Sequence, residues 1–317
     1  MSDRPKMMQR AAFGNALVEL GEQNPRIVVL DADISSSLYT SQFAKRFPER
    51  HINFGVAEQN MVIGAAGLAT TGLIPLACTY ATFATMRACE QIRSFICYAK
   101  LNVKIVCSHG GLEVGWDGPT HQATEDVAIM RAMPNMTVVV PADAVGTSAL
   151  IRQVVEHDGP VYFRMGRNPT PVIYDPGQEF KIGKALQLRD GEDVTLVAMG
   201  VMVSVALEAA ELLARRGIQA RLLDMHTIKP LDENALSAAA KDTPLIVTLE
   251  DHNIIGGLGA AVAEFVTANR PVPVLRIGVP DVFAESGDPL LLFNKYAMDA
   301  GSIAARVAAA LKGVPYA

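Results

Sequence analysis

A long stretch of this 317-residue chain carries no charge, because no residue between Glu58 and Arg87 is acidic or basic. The stretch exceeds the roughly 20 residues that an apolar helix needs to span a bilayer. Gly72 and Pro75 divide it, however, and it contains two side-chain amides and several threonines. We therefore predict a buried helix, a turn and a buried strand inside a well-packed core, with no membrane span.

Short β-rich runs alternate with helical stretches along the whole chain. The predicted strands are 26–30, 103–107, 137–140, 161–164, 194–199, 220–223, 245–249 and 272–277. The predicted helices are 11–20, 61–70, 83–99, 124–131, 144–156, 201–216, 259–267 and a last one from residue 302. This alternation favours parallel sheets that are covered by helices on both faces, with ligand sites at the carboxyl ends of the strands.

A bridge rich in proline and glycine, at residues 168–177, interrupts this alternation before it resumes. A chain of this length is too long for one ordinary core and suits two domains. We therefore predict an α/β protein with two domains: a parallel-sheet domain over residues 1–175 and a smaller α/β domain over residues 185–317.

Composition excludes several classes of protein. Half of the residues are hydrophobic and 19% are charged, which is typical of a globular protein and not of a disordered one. The net charge of −5 gives no reason to expect nucleic-acid binding, although a local basic pocket can still bind anionic substrates. The four cysteines form no CxxC pair, and the amino-terminal residues form no apolar stretch. We expect reduced thiols, a cytoplasmic location, no metal site in this chain and no signal peptide.

Acidic residues stand next to predicted buried elements at two places in the chain. The run DADISSS, from Asp31 through Asp33 to Ser37, directly follows a predicted strand, where α/β sheets bind ligands. A helix N-cap followed by a polar loop is the alternative. Glu58 directly precedes the uncharged stretch, and a carboxyl group beside so much apolar surface suits a group that holds or shares a proton. The alternative is a glutamate in the first turn of a helix, stabilised by the helix dipole.

Three further features carry polar or aromatic chemistry. Phe83, in the run YATFATMR, offers a face for stacking on a planar heterocycle, although core packing is the commoner role of phenylalanine. The glycine-rich run SHGGLEVGWDGPTHQ brings His109, Asp117 and His121 into one loop, which favours hydrogen bonding to a polar substrate over a metal site, because the spacing matches no zinc signature. A predicted strand then ends in two arginines, of which Arg167 is one; such forks suit phosphate, and a surface salt bridge is the alternative.

Taken together, these motifs resemble the carboxyl-terminal half of transketolase. The runs DAD-x-SSS, FGVAEQNMV, SHGG…DGPTHQ, PNMTVVVPAD, IKPLD and EDHNIIGGLG occur in the order found in that family and cover nearly the whole chain. The resemblance implies a pyrimidine-binding domain, followed by the smaller transketolase C-terminal domain, and thiamine diphosphate as the cofactor. His252, in the last of these motifs, is expected to serve packing and subunit contacts.

The resemblance also implies roles for individual residues. Glu58 would hydrogen-bond N1′ of the cofactor's aminopyrimidine and favour the imino tautomer whose nitrogen removes the proton from thiazolium C2. Phe83 would pack on the pyrimidine ring, and Asp33 would lie at the cofactor or donor-sugar site. The residues implied for the sugar phosphate are His109 and Asp117 at the hydroxyls, His121 at the reacting carbon, and Arg10, Ser37 and Arg167 at the phosphate. Arg87 lies in a segment one residue longer than in some relatives, which leaves its role open, with a second phosphate contact as one option.

One family motif is missing from the sequence. A GDG run, followed by an asparagine, binds the cofactor's diphosphate through Mg²⁺ or Ca²⁺ in full-length members, and it does not occur here. The resemblance therefore implies a separate N-terminal-type transketolase subunit that carries GDG and the metal ion, with the cofactor between the chains in an α2β2 heterotetramer. The helical faces around residues 59–100 are the expected interface.

The leading function is the transfer of a two-carbon glycolaldehyde unit from a ketose phosphate to an aldose phosphate, as in the pentose phosphate pathway. A β subunit of a 2-oxoacid dehydrogenase shares the split layout but lacks the DGPTHQ sugar loop. A deoxyxylulose-phosphate synthase shares AEQ and DG-THQ but is usually one long chain. A transketolase dedicated to an unusual, branched ketose phosphate, and a non-catalytic assembly protein, are further alternatives.

Overall fold

The computed structural model describes residues 4–313. The first three and last four residues, which the expected domains 1–175 and 185–317 include, lie outside the described part. The strands are β1 (Lys6–Met8), β2 (Ile27–Asp31), β3 (His51–Asn53), β4 (Ile74–Tyr80), β5 (Lys104–Ser108), β6 (Thr137–Val139), β7 (Val161–Arg164), β8 (Pro169–Pro171), β9 (Leu186–Arg189), β10 (Val194–Ala198), β11 (Ala220–Asp224), β12 (Thr227–Lys229), β13 (Ile246–Asn253) and β14 (Val274–Val279).

Helices connect and cover these strands. The α-helices are α1 (Gln9–Gln23), α2 (Ser35–Leu38), α3 (Ser41–Arg46), α4 (Glu58–Thr70), α5 (Cys89–Gln91), α6 (Asp126–Ala132), α7 (Ala144–Glu156), α8 (Met202–Ala214), α9 (Glu233–Asp242), α10 (Leu258–Asn269), α11 (Pro289–Lys295) and α12 (Ala300–Leu311). Two π-helical segments are Phe83–Arg87 and Ile92–Cys97, and two 3-10 segments are Pro48–Arg50 and Leu112–Asp117.

Two sheets organise the chain. The larger has the strand order β12-β6-β7-β5-β4-β2-β3, in which β12 is antiparallel to β6 and the other neighbours are parallel. The smaller has the order β14-β13-β10-β11-β9, in which β9 is antiparallel to β11 and the others are parallel. Strands β1 and β8 form a separate antiparallel pair. The predicted two-domain α/β fold is confirmed.

The central strands are mostly apolar because helices cover them on both sides. Every residue of β2, β5 and β10 is buried, as expected for parallel strands in the interior of a sheet. In β2, Ile27 and Val29 belong to the core beneath α1 and α7, whereas Val28 and Leu30 belong to the core beneath α4. Side chains alternate between the two faces of a strand, so an unbroken apolar run serves both cores.

The uncharged stretch forms a helix, a turn and a strand, as predicted. Helix α4 buries Met61, Val62 and Ala65, and β4 is buried from its first residue to Thr79. Within residues 4–313, no helix is long and apolar enough to cross a membrane. The arrangement places Glu58 at the start of α4 and Tyr80 at the end of β4.

The prediction of one helix over residues 83–99 is wrong. The chain instead forms two π-helical segments, separated by the short α5. Each π-turn accommodates one more residue than an α-turn, and such turns are frequent at functional sites. In the first of them, Thr85 Oγ1 donates a hydrogen bond to the carbonyl of Ala81 at 2.8 Å.

The second half of the chain returns to the larger sheet, which the sequence did not predict. Strand β12 pairs with β6 at the sheet edge. Lys229 Nζ then donates to the carbonyls of Arg131 and Met133 at 3.0 and 2.6 Å, capping the end of α6. A strand of three residues is too short to show a period-2 pattern, so this pairing is visible only in the tertiary structure.

A buried ionic cluster joins the two domains. Arg164 Nε donates to Asp126 Oδ2 at 2.7 Å, and its Nη2 donates to the carbonyl of Asp251 at 2.8 Å. The hydroxyl of Tyr162 donates to the same Asp126 oxygen at 2.6 Å. The Asp251 carboxylate in turn accepts from the backbone N–H of Leu112 at 2.8 Å. Arg164, the other arginine at the end of this strand, is therefore committed to the domain interface and not to a phosphate.

Candidate active site

The predicted site residues gather at the carboxyl ends of neighbouring parallel strands. Tyr80 ends β4, His109 follows β5 and Arg167 follows β7, while Glu58 begins the helix between β3 and β4. Strands β4, β5 and β7 are adjacent in the larger sheet. Because the carboxyl ends of parallel strands meet at one edge, side chains far apart in sequence face the same space.

Glu58, Arg87 and Phe83 form a compact stack. Glu58 lies in the first turn of α4, and its side chain is only 6% exposed. Arg87 Nη1 donates to Glu58 Oε1 at 2.9 Å. The same guanidinium lies over the ring of Phe83, with Cζ 3.9 Å from the ring centroid. The role of Arg87 that the sequence left open is therefore, in this structure, a contact with the two residues predicted for the aminopyrimidine.

Tyr80 connects this stack to the glycine-rich loop. Its ring centroid lies 3.9 Å from that of His109 and 5.6 Å from that of Phe83. Its hydroxyl donates to Ser37 Oγ at 2.9 Å. The ring of His121 lies 5.0 Å from that of Phe83. Sequence reasoning gave Tyr80 no role of its own, although its position at the start of the Phe83 run was the available signal.

A basic region adjoins Ser37. Arg10 donates to the carbonyl of Arg167 through Nε and Nη2, at 3.1 and 2.7 Å, and to Ser37 Oγ through Nη1 at 3.3 Å. Arg167 Nη1 donates to the carbonyl of Val114 at 2.6 Å, and its Nη2 lies 3.5 Å from Asp117 Oδ1. The structure therefore brings together all three residues predicted for the phosphate. Most of the N–H groups of Arg10 donate to Ser37 or Arg167 and so orient these two residues.

His109 is buried beside this basic region. Its Nδ1 lies 2.7 Å from Ser108 Oγ. Burial, with the added charges of Arg10 and Arg167, lowers the pKa of His109 to about 3. The imidazole is therefore neutral near physiological pH, so one ring nitrogen donates a hydrogen bond and the other accepts one. Such a group suits a sugar hydroxyl next to an anionic substituent.

Asp33 lies just after the carboxyl end of β2, which neighbours β4 in the larger sheet. Its backbone φ is 63°, and its Oδ1 accepts from Asn53 Nδ2 at 3.1 Å. The buried carboxylate of this run is Asp31, which accepts from the backbone N–H of Ile34 at 2.9 Å and from the hydroxyl of Thr40. Within residues 4–313, no hydrogen bond or ion pair links Asp33 to Glu58, and no three His, Cys, Asp or Glu side chains are placed to hold a metal ion.

Glu113 is an important residue that sequence reasoning missed. It is buried in the glycine-rich loop, where Oε2 accepts from the backbone N–H of Arg167 at 3.0 Å and Oε1 from that of Asn168 at 3.2 Å. A Cβ atom at residue 166 would lie 2.0 Å from Oε2, so Gly166 is required for this close approach. Glu113 thus fastens the loop that carries Arg167 to the loop that carries His109.

The stability of the wild-type chain is expected to fall relative to Glu113→Gln as pH rises from about 5 to about 8. Burial and the neighbouring Asp251 raise the pKa of Glu113 from 4.5 to about 8, against the hydrogen bonds from Arg167 and Asn168. The folded chain therefore binds more protons than the unfolded chain in this window, and the unfolding free energy decreases by at most about 1.4 kcal/mol per pH unit. Denaturant unfolding of both proteins across the window measures this; a difference that does not change with pH would contradict it.

Two family models match the chain. The model described as transketolase, pyrimidine binding domain, matches residues 5–172, and the model described as transketolase, C-terminal domain, matches residues 183–303. The chain belongs to the transketolase family. The resemblance predicted from the motifs is therefore confirmed, and a transferase of the transketolase type is the general class of this family member.

Relatives of the same length share this assignment. The chain is 50% identical over 306 residues to a Methanocaldococcus jannaschii protein named as a transketolase C-terminal section, covering 96% of both. It is 44% identical over 294 residues to a 6-deoxy-6-sulfo-D-fructose transketolase subunit of Clostridium sp., covering 93% of this chain and 91% of the relative. A solved structure described as a split gene transketolase, inactive beta4 tetramer, is 49% identical, with a TM-score of 0.89 over 97% of this chain and 99% of that one.

Proposed function

We propose that this transketolase-family chain is the C-terminal-type subunit of a transketolase that moves a two-carbon glycolaldehyde unit from a ketose phosphate to an aldose phosphate. The observation that carries the proposal is the stack at Glu58, where a buried carboxyl group and the Phe83 ring together hold a planar, N–H-donating group. An aminopyrimidine protonated at N1′ is also planar and also donates an N–H. The residues present therefore fit the aminopyrimidine half of thiamine diphosphate.

Each residue of this stack has a defined task toward the cofactor. Glu58 holds or shares the proton at N1′, which a buried carboxyl group does well because little solvent competes. Phe83 fixes the plane of the ring by stacking, and Tyr80 and His121 extend the aromatic wall. When bound, thiamine diphosphate supplies the nucleophilic carbon that carries the two-carbon unit. Asp33, which follows the carboxyl end of the neighbouring strand β2, is proposed to lie at the cofactor or donor-sugar side of the site.

The sugar phosphate lies along the row from His121 to Arg167. His109 and Asp117 hydrogen-bond the sugar hydroxyls, and His121 faces the reacting carbon and moves a proton to or from its oxygen. Arg167, held by Arg10 and next to Ser37, meets the phosphate. Burial is the main cause of the lowered pKa of His109, and the nearby charges of Arg10 and Arg167 lower it further, as expected beside a site for an anion.

A second chain completes the enzyme. We propose that an N-terminal-type subunit carries the GDG motif and binds the diphosphate through Mg²⁺ or Ca²⁺, in an α2β2 assembly. The relative named as a C-terminal section is as long as this chain, and the solved relative of the same length is described as an inactive β4 tetramer. Six large apolar side chains between residues 52 and 98 are exposed and offer a surface for this contact: Ile52, Val56, Ile63, Met86, Phe95 and Tyr98.

The anionic end of the substrate has a second candidate. One relative is a 6-deoxy-6-sulfo-D-fructose transketolase subunit at 44% identity, and a sulfonate presents the same three acceptor oxygens to arginine as a phosphate. Unusual ketose phosphates, branched ones included, need the same contacts to hydroxyls and anion. A substrate panel that contains both phosphates and sulfonates separates these substrates.

The test is reconstitution of the complete complex. The chain is mixed with the GDG-bearing partner, thiamine diphosphate, Mg²⁺, a ketose phosphate and an aldose phosphate, and two-carbon transfer is followed by product analysis. We expect transfer with both chains present and none with either chain alone. Parallel reactions with pyruvate test the deoxyxylulose-phosphate synthase and 2-oxoacid dehydrogenase alternatives. Folded, assembled chains that transfer no two-carbon unit would refute the proposal.

A further inference from the structure

Arg87 already makes both contacts that the proposed function assigns to a bound aminopyrimidine. Its guanidinium stacks on Phe83 with Cζ 3.9 Å from the ring centroid, and its Nη1 donates to Glu58 Oε1 at 2.9 Å. A guanidinium resembles the protonated heterocycle in being flat, cationic and edged with N–H donors. The guanidinium and the aminopyrimidine cannot both stack on the same face of the Phe83 ring and donate to the same Glu58 oxygen at one time.

We propose that Arg87 is a gate that fills the pyrimidine pocket of the free subunit and must swing out before the cofactor enters. This inference rests on the proposed function, and it deepens it by naming the residue that controls access to Glu58. In the closed state the Arg87 charge compensates a carboxylate that is otherwise buried. In the open state the N1′ group of the cofactor replaces Arg87 as the partner of the Glu58 carboxylate.

The surroundings of Arg87 allow this movement. The side chain is 50% exposed, so its ion pair with Glu58 is partly hydrated and easily exchanged for contacts with water. Arg87 is also the last residue of the π-helical segment Phe83–Arg87. Arg87 stands four positions after Phe83, a spacing at which side chains on one helical face are neighbours, and its guanidinium lies over the Phe83 ring.

The gate has a measurable cost in cofactor affinity. When only a fraction of the molecules is open, the apparent dissociation constant equals the intrinsic one divided by that fraction. A half-exposed ion pair combined with a cation–π contact is worth enough to keep about nine in ten molecules closed, so removal of the gate tightens binding by about tenfold.

The experiment compares thiamine diphosphate binding to the reconstituted complex that contains wild-type chain, Arg87→Ala or Arg87→Lys. We expect Arg87→Ala to bind the cofactor about tenfold more tightly and to associate faster in stopped-flow measurements. Lysine keeps the charge but lacks the flat fork, so Arg87→Lys is expected to tighten binding by about threefold. Arg215→Ala is the matched control, because Arg215 is exposed at the end of α8 in the other domain. It is expected to leave the affinity unchanged.

The outcomes separate the gate from the proposed function. Equal or weaker cofactor binding by Arg87→Ala, with measurable binding by wild type, overturns the gate alone and favours a direct anion contact by Arg87. Absence of cofactor binding in the assembled wild type and in both variants overturns the gate and the proposed function together. If Arg87→Ala does not assemble, Arg87→Lys decides, and an affinity no tighter than that of wild type overturns the gate.

Discussion

Replacing Glu58 by alanine is expected to lower kcat of the reconstituted complex by about 10²- to 10⁴-fold, which is the usual range for loss of a general acid–base group. The carboxyl group is the one proposed to hold the proton at N1′, and its side chain is only 6% exposed. Solvent therefore replaces it poorly. The measurement is the rate of two-carbon transfer at saturating substrate and cofactor.

Folding is expected to survive this substitution. The partner of Glu58, Arg87, is half exposed and can be hydrated when the carboxylate is removed. Glu58→Gln provides the conservative comparison, because it keeps the shape but cannot exchange a proton, and we expect it to lose nearly as much activity. Glu49→Ala removes an exposed carboxylate outside the site and is expected to retain full activity. Near-normal turnover by Glu58→Ala would show that the residue is not the N1′ partner.

Replacing Arg164 by alanine is expected to destabilise the chain by about 3–5 kcal/mol, because it leaves a buried carboxylate without its counter-charge. Asp126 is fully buried, and Arg164 is 5% exposed. The hydrogen bond from Arg164 to the carbonyl of Asp251 is also lost, which weakens the contact between the domains. Equilibrium unfolding in denaturant measures the change in free energy.

Two controls define the cause. Arg152→Ala breaks an exposed ion pair with Glu19 and is expected to cost at most about 1 kcal/mol. The double variant Arg164→Met with Asp126→Leu removes both charges of the ion pair and is expected to recover part of the loss, since Asp126 no longer stands buried without its counter-charge. A single Arg164→Ala variant as stable as Arg152→Ala would show that the buried cluster does not hold the domains together.

The parts of the fold that follow from local pattern were predictable. The run 27–30 in β2 is continuous and apolar, and in the uncharged stretch between Glu58 and Arg87 the Gly72 signal lies between α4 and β4, with Pro75 near the start of β4. The break of the helix after Phe83 was not predictable, because a π-turn depends on what its side chains meet in the tertiary structure. The pairing of β12 with β6 joins segments from different halves of the chain and has no local signal.

The candidate site shows the same division. The motifs identified Glu58, Phe83 and His109, and the structure brings them to one edge of the sheet, although their roles stay predictions. Glu113 could not be found from its motif, because its importance comes from a close approach to the loop after β7. The sequence left the role of Arg87 open. Its contact with Glu58 joins the start of α4 to the end of a π-helical segment, and no local pattern indicates such a contact.

The role of Glu58 is tested most directly by the structure of the two-chain complex with thiamine diphosphate bound. We expect N1′ within hydrogen-bonding distance of the Glu58 carboxyl group, at about 2.6–3.2 Å. We also expect the pyrimidine ring to lie on the Phe83 face, with Arg87 turned away. A cofactor held entirely by the partner, with Glu58 facing solvent or still covered by Arg87, would contradict this role.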